Sequence, residues 1–156
     1  MIPAYRVLYV EDEDDDVFFM RDAFRRLEVA AHLDAVADGE QAIAYFEGRA
    51  PYADRTQFPL PVCVLLDVNL PVRSGFEVLA WLRAHPGFVA LPVIIFSSSG
   101  RLEDRQRAEQ LGATDYLLKP TSGREFTQAV KRIMETWVRS SGQTHGEPNQ
   151  SQAAQQ

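Results

Sequence analysis

Only one cysteine is present, Cys63, and it lies inside an apolar run. No internal disulfide can form, so packing must hold the fold. The thiol reads as a small buried hydrophobe in a reducing compartment. Long apolar runs are missing as well: none approaches the roughly 18 to 20 residues that cross a bilayer. The first six residues, MIPAYR, do not form a basic-then-apolar signal pattern. A cytoplasmic location is therefore expected. Basic charge is scarce, with 16 Lys and Arg against 22 Asp and Glu and a net charge of −6. This balance supplies no electrostatic drive toward nucleic acid or anionic lipid, so neither DNA nor membrane is expected as a partner. There is also no internal repeat and no sign of a second compact unit.

What remains is 156 residues, 46% hydrophobic and 24% charged, the composition of one domain with a real core. Four short apolar stretches, 7–10, 62–66, 93–96 and 116–118, read as strands buried on both faces. A fifth, 33–37, alternates and belongs near a sheet edge. Helical patterns fall between them, so strand and helix alternate five times, which predicts a doubly wound α/β domain with a parallel sheet. In the first helix, over 15–28, Val17, Met20, Ala23, Phe24 and Leu27 form the core-facing stripe and Phe18 points away. The last helix, over 122–138, turns Phe126, Val130, Ile133, Met134 and Trp137 to one face behind Ser122 as N-cap. The Pro-rich segment 48–61 is longer than a usual connection, either an elaborated surface loop or part of an interface. From 140 to 156 the chain has no large apolar side chain and reads as a flexible polar tail, leaving 1–139 as the domain.

In open α/β sheets ligands bind beyond the carboxyl ends of the strands, so the residue after each apolar run is informative. After the first come Glu11 and Asp12, after the third Asp67, after the fourth Ser97 and Ser98, and after the fifth Lys119 and Pro120. Carboxylates held together repel, by about 1 kcal/mol per pair at 4 Å in water and about 4 at an effective dielectric of 20. A hard divalent cation offsets that, and Mg²⁺ characteristically takes one or two carboxylates with water and phosphate oxygens. A phosphoryl group bridged to Mg²⁺, with Lys119 as a point charge and Ser97 as a donor, suits the set. The further acids Asp14, Asp15 and Asp16 read as residues opposing a helix dipole.

These residues resemble the receiver domain of two-component response regulators over about 5–138. The segment LYVED is similar to the family's first strand and acidic pair, and LLDVNLPVRSG to its phosphoacceptor strand and loop, with Asp67, Pro71 and Gly75 in place. VIIFSSS resembles the fourth strand, and GATDYLLKP the fifth, with Tyr116 three residues before Lys119. The resemblance implies a flavodoxin-like five-stranded parallel sheet in the order 2-1-3-4-5 with helices on both faces. It implies that Asp67 accepts a phosphoryl group from a sensor histidine kinase. Glu11, Asp12, Asp67 and the backbone carbonyl of Asn69 would hold Mg²⁺. Lys119 and Ser97 would bind phosphoryl oxygens, Ser97 and Tyr116 would form the switch, and the bond to Pro120 would be cis.

Glu11 and Ser97 stand where aspartate and threonine are commoner, and both keep the needed oxygen. The long 48–61 segment and the EDEDDD start resemble the single-domain regulators associated with bacterial and cyanobacterial phytochromes, so the partner kinase could be a bacteriophytochrome. A Mg²⁺-dependent phosphohydrolase with an aspartate nucleophile is a rival reading, but its second aspartate is replaced by Asn69. A receiver-like binding module that takes no phosphate is another. The polar tail offers no effector, so output is expected through protein contacts, including a homodimer through the face of the fourth helix, fifth strand and fifth helix.

Overall fold

The computed structural model describes residues 5–138. The tail expected at 140–156 lies outside them. Five strands, β1 (Tyr5–Val10), β2 (Ala31–Val36), β3 (Cys63–Leu66), β4 (Val93–Ser97) and β5 (Asp115–Leu118), form one parallel sheet in the order β2-β1-β3-β4-β5. The helices are α1 (Asp14–Arg26), α2 (Gly39–Glu47), α3 (Gly75–Ala84), α4 (Leu102–Gln110) and α5 (Gly123–Ile133), the last continuing as a π-helical turn, Met134–Val138. The doubly wound five-stranded architecture expected from the sequence is the one observed.

Alternation along the strands divides the core. Leu8, Val10, Val64, Leu66, Val93 and Ile95 face a layer containing Tyr45, Phe46, Val78, Leu79, Leu82 and Ala108, from α2, α3 and α4. Val7, Tyr9, Cys63, Leu65, Ile94 and Phe96 face Met20, Phe24, Phe126, Val130 and Ile133, from α1 and α5. Strands buried on both faces read as unbroken apolar runs because both sets of side chains leave water. The α1 stripe packs as expected through Met20, Ala23 and Phe24, while Phe18 stands out in solvent. Ser122 caps α5, its hydroxyl accepting from the Glu125 amide at 3.2 Å. Burial raises the Cys63 thiol well above its ordinary range, which leaves it inert.

The burial of one strand departs from expectation, although its edge position is the one that the order 2-1-3-4-5 implies. β5 pairs only with β4, and its ends are exposed, Leu118 to 45%. It is an edge strand, and a short run such as YLL carries no signal of how many neighbours its backbone will find.

Segment 48–61 is an ordered surface element. The Arg55 guanidinium donates to the carbonyls of Tyr45 (2.8 Å) and Phe46 (2.7 Å) in the last turn of α2 and to that of Phe58 (3.2 Å), and so ties the segment to the C-terminal end of that helix. Tyr52 and Phe58 pack on the Tyr45 ring, whose single hydroxyl proton is shared between Asp34 Oδ2 at 2.7 Å and the Pro59 carbonyl at 3.0 Å.

The chain winds in opposite directions from β1 and β3, toward β2 on one side and β4 on the other. The crevice at this reversal opens where β1 and β3 end, so the residues just after Val10 and Leu66 line it.

Candidate functional site

Three carboxylates meet in that crevice. Oxygen atoms of Glu11, Asp12 and Asp67 lie within 4.8 Å of one another. Parallel pairing of β1 with β3, Val10 opposite Leu66, places the two strand exits side by side. Glu11 and Asp67 are buried and Asp12 is exposed, so the cluster is open to solvent on one side. An all-oxygen set of this kind suits a hard cation such as Mg²⁺ or Mn²⁺ rather than a thiophilic one.

Lys119, carried in beyond the end of β5, reaches across to this cluster. Its ammonium donates to Asp67 Oδ2 at 3.0 Å, to Asp16 Oδ2 at 2.9 Å and to Glu11 Oε1. The amide of Lys119 donates to the Ser97 carbonyl at 2.8 Å, which fixes the backbone from which the side chain extends. Burial works against the charge on Lys119, but Glu11, Asp67 and Asp16 outweigh it and hold the ammonium well above its ordinary range. The carboxyl of Glu11 is pushed up to about 7 by burial, against the lowering hydrogen bond from Lys119, with the charge of Asp67 adding to the rise. Both Glu11 oxygens are engaged: Oε1 also accepts from the Tyr9 hydroxyl at 3.3 Å, and Oε2 from the Glu13 amide at 3.2 Å.

Asp67 accepts from the Asn69 amide through Oδ1 at 3.3 Å. The loop after β3 then folds tightly back, with the Gly75 amide donating to the Val68 carbonyl at 3.0 Å. A Cβ on Gly75 would come within 2.0 Å of the Asp67 carbonyl oxygen, so only glycine lets α3 begin against this strand exit. Ser74 caps that helix from the preceding position.

Ser97, at the end of β4, is fully buried, and its Oγ accepts from the Ser99 amide at 3.1 Å. Tyr116 is half-buried. Its hydroxyl donates to the Ser99 carbonyl at 2.7 Å, and the Arg105 guanidinium stands 4.8 Å from its ring centre. Ser99 Oγ in turn donates to Asp104 in the first turn of α4. A continuous set of hydrogen bonds thus runs from Ser97 through Ser99 to Tyr116 and α4.

The family model of the response regulator receiver domain matches residues 7–131. The chain belongs to this family. Among curated receiver relatives, the probable methanogenesis regulatory protein FilR2 of Methanothrix harundinacea is 31% identical over 137 residues, 85% of this chain and 83% of that one. Response regulator Rcp1 of Synechocystis sp. is 27% identical over 136 residues, 87% of this chain and 90% of its own. The Mn²⁺-bound structure of Rcp1 superposes with a TM-score of 0.77 and 27% identity, over 85% of this chain and 94% of that one. The phosphorylated cyanobacterial phytochrome response regulator RcpA superposes with a TM-score of 0.81 and 30% identity, over 87% of this chain and 95% of that one.

Within this receiver, the residues singled out from the sequence separate into two groups in space. Glu11, Asp12, Asp67 and Lys119 meet directly, whereas Ser97 and Tyr116 connect to each other through Ser99. One expectation is corrected: the bond from Lys119 to Pro120 is trans, and the cis bond among the described residues is Ala50–Pro51. Trans is the intrinsic preference of X-Pro by about 0.5–1 kcal/mol, and the lysine makes its three carboxylate contacts with that geometry.

Two members of the site escaped the sequence reading. Tyr9 lies two positions before Glu11 on one face of β1, a period-2 relation that the apolar run conceals. Asp16, read as an acid opposing the helix dipole, turns inward to Lys119 instead. It continues the core-facing stripe of Met20, Ala23 and Leu27 one turn earlier, so helical periodicity did contain the signal.

Proposed function

We propose that this receiver accepts a phosphoryl group on Asp67 from a sensor histidine kinase, in a Mg²⁺-dependent step, and signals through protein contacts from the cytoplasm. The observation that carries the reading is the convergence of Asp67, two further carboxylates and the Lys119 ammonium at one solvent-open strand edge. Asp12 and Asp67, with the backbone carbonyl of Asn69, would hold the ion. Glu11, whose oxygens are already engaged, would reach it through water. The bound ion supplies charge neutralisation for the transferring oxygens. The Asp67 carboxylate oxygen forms a bond to phosphorus as the phosphorus–nitrogen bond of a phosphohistidine breaks, and the imidazole nitrogen keeps the electron pair. Lys119 draws negative charge from the transferring group, and the Ser97 hydroxyl donates to a phosphoryl oxygen in the product. Little covalent chemistry is asked of the protein beyond this positioning.

The Ser97–Ser99–Tyr116 connection supports these residues as the switch. A Ser97 hydroxyl turned toward phosphate gives up its bond to the Ser99 amide, and the carbonyl that holds Tyr116 belongs to the same residue. The likeness to RcpA and Rcp1 supports a phytochrome-type kinase as the donor. Exposed Leu102 and Leu118 on the α4 and β5 side support a homodimer through the α4–β5–α5 face. Light scattering is expected to report a doubled mass with beryllofluoride and Mg²⁺; a strictly monomeric mass at high concentration overturns the dimer.

The test of the central reading is intact-mass spectrometry after incubation with acetyl phosphate. One phosphoryl group is expected per chain with Mg²⁺ and none with excess chelator. Absence of the adduct under both conditions favours a receiver-like module that takes no phosphate.

A further inference from the structure

The Lys119 ammonium has three protons, and in this structure three carboxylates accept them: Glu11, Asp67 and Asp16. A phosphoryl oxygen must therefore compete with these acceptors for the lysine. Asp67 would be the anchor of the phosphoryl group, and the Glu11 side chain is fully buried, tied also to Tyr9 and to the Glu13 amide. Asp16 is the remaining partner. Its side chain is 26% exposed against 7% for Asp67, it projects from the first turn of α1, and it has solvent to turn toward. Nor does it belong to the cluster of Glu11, Asp12 and Asp67 that suits a cation.

We propose that Asp16 is a positioning residue that holds Lys119 in the unphosphorylated state and competes with the phosphoryl group for it. This rests on the receiver reading of the site. The carboxylate acts as a built-in stand-in for the incoming anion: it keeps the ammonium aimed into the crevice and lowers the stability of the phosphorylated form by the ion pair that must first be broken. Within the acidic run, Asp14 and Asp15 are exposed and no hydrogen bond joins their side chains to Lys119. The competition therefore belongs to one position and not to the run as a whole.

Calorimetric titration with beryllofluoride at saturating Mg²⁺ tests it on the full chain. Asp16→Asn is expected to bind beryllofluoride about fivefold more tightly than the wild type, the ratio that an ion pair of about 1 kcal/mol represents. Asp16→Glu, which keeps the charge, should restore the wild-type affinity. Asp15→Asn removes an equal charge without a contact to Lys119 and measures the general field; it should change the affinity less than about twofold. Magnesium affinity without beryllofluoride should respond alike to the Asp15 and Asp16 changes. Unchanged or weaker binding by Asp16→Asn, or an equal gain in Asp15→Asn, overturns the proposal while leaving the receiver reading in place. A wild type that binds no beryllofluoride removes both.

Discussion

Asp67→Asn is expected to take up no label from radiolabelled acetyl phosphate and Mg²⁺, at least about a hundredfold below the wild type under the same conditions. In the proposed reading the Asp67 carboxylate is the nucleophile, because it lies within hydrogen-bond reach of the Lys119 ammonium and belongs to the acidic cluster that suits a cation. An amide is close to it in shape but is not a nucleophile at neutral pH. The substitution is also mild for the fold, because an asparagine Oδ1 can still accept from the Asn69 amide, the bond seen at 3.3 Å. A urea unfolding midpoint close to that of the wild type would show that the loss is chemical. Stoichiometric label in the variant would place the acceptor elsewhere, and the functional reading would fall with it.

Lys119→Met is expected to destabilise the metal-free protein at pH 8 by about 3 kcal/mol, the lower end of what breaking a buried ion pair costs. Lys119 is the one cation in ion-pair contact with Glu11, Asp16 and Asp67 among the described residues. Without it, three carboxylates face one another with nothing to offset their repulsion. The pH dependence then has a definite sign. Glu11 titrates at about 7 in the folded protein against 4.5 for an ordinary glutamate, so the folded state holds this proton more tightly than the unfolded one. The stabilisation that comes with protonating Glu11 is complete below the ordinary value and is lost as pH rises through about 7.

The wild type should therefore gain stability from this group as pH falls from 8 to about 5.5. The lysine opposes the upward shift, so removing it should make the gain larger and start it at higher pH. Urea midpoints at pH 8 and pH 6 in chelator, with a third set in Mg²⁺ at pH 8, measure all of this. Mg²⁺ should return much of what the variant loses, since a bound divalent ion replaces the missing positive charge. Equal midpoints for variant and wild type at pH 8 in chelator would mean that the lysine does not hold the cluster together.

How much of this was legible beforehand varies by kind of signal. Residues at strand exits were readable because an unbroken apolar run marks a strand buried on both faces, and the parallel sheet forces its polar successors onto one edge. Glu11, Asp12, Asp67 and Lys119 were found that way, although 108 positions separate the first from the last. Asp16 was lost in a run of six acids, where five neighbours with the same charge disguised the one on the buried stripe. Tyr9 was hidden by its apolar ring, because a strand pattern counts it as core and says nothing about its hydroxyl. The 48–61 segment could not be read as ordered: its order comes from Arg55 reaching the carbonyls that end α2, a contact that composition does not encode.

The order of strands and helices, the two-sided core and the identity of the acids and the lysine at the sheet edge follow from the chain alone. They depend on local periodicity and on the rule that parallel strands end together. Which acid holds the lysine, the trans bond before Pro120 and the tie between Ser97 and Tyr116 depend on distances between segments far apart in the chain. Only packing sets those distances, because a side chain's partner is chosen by the space left after the core has closed.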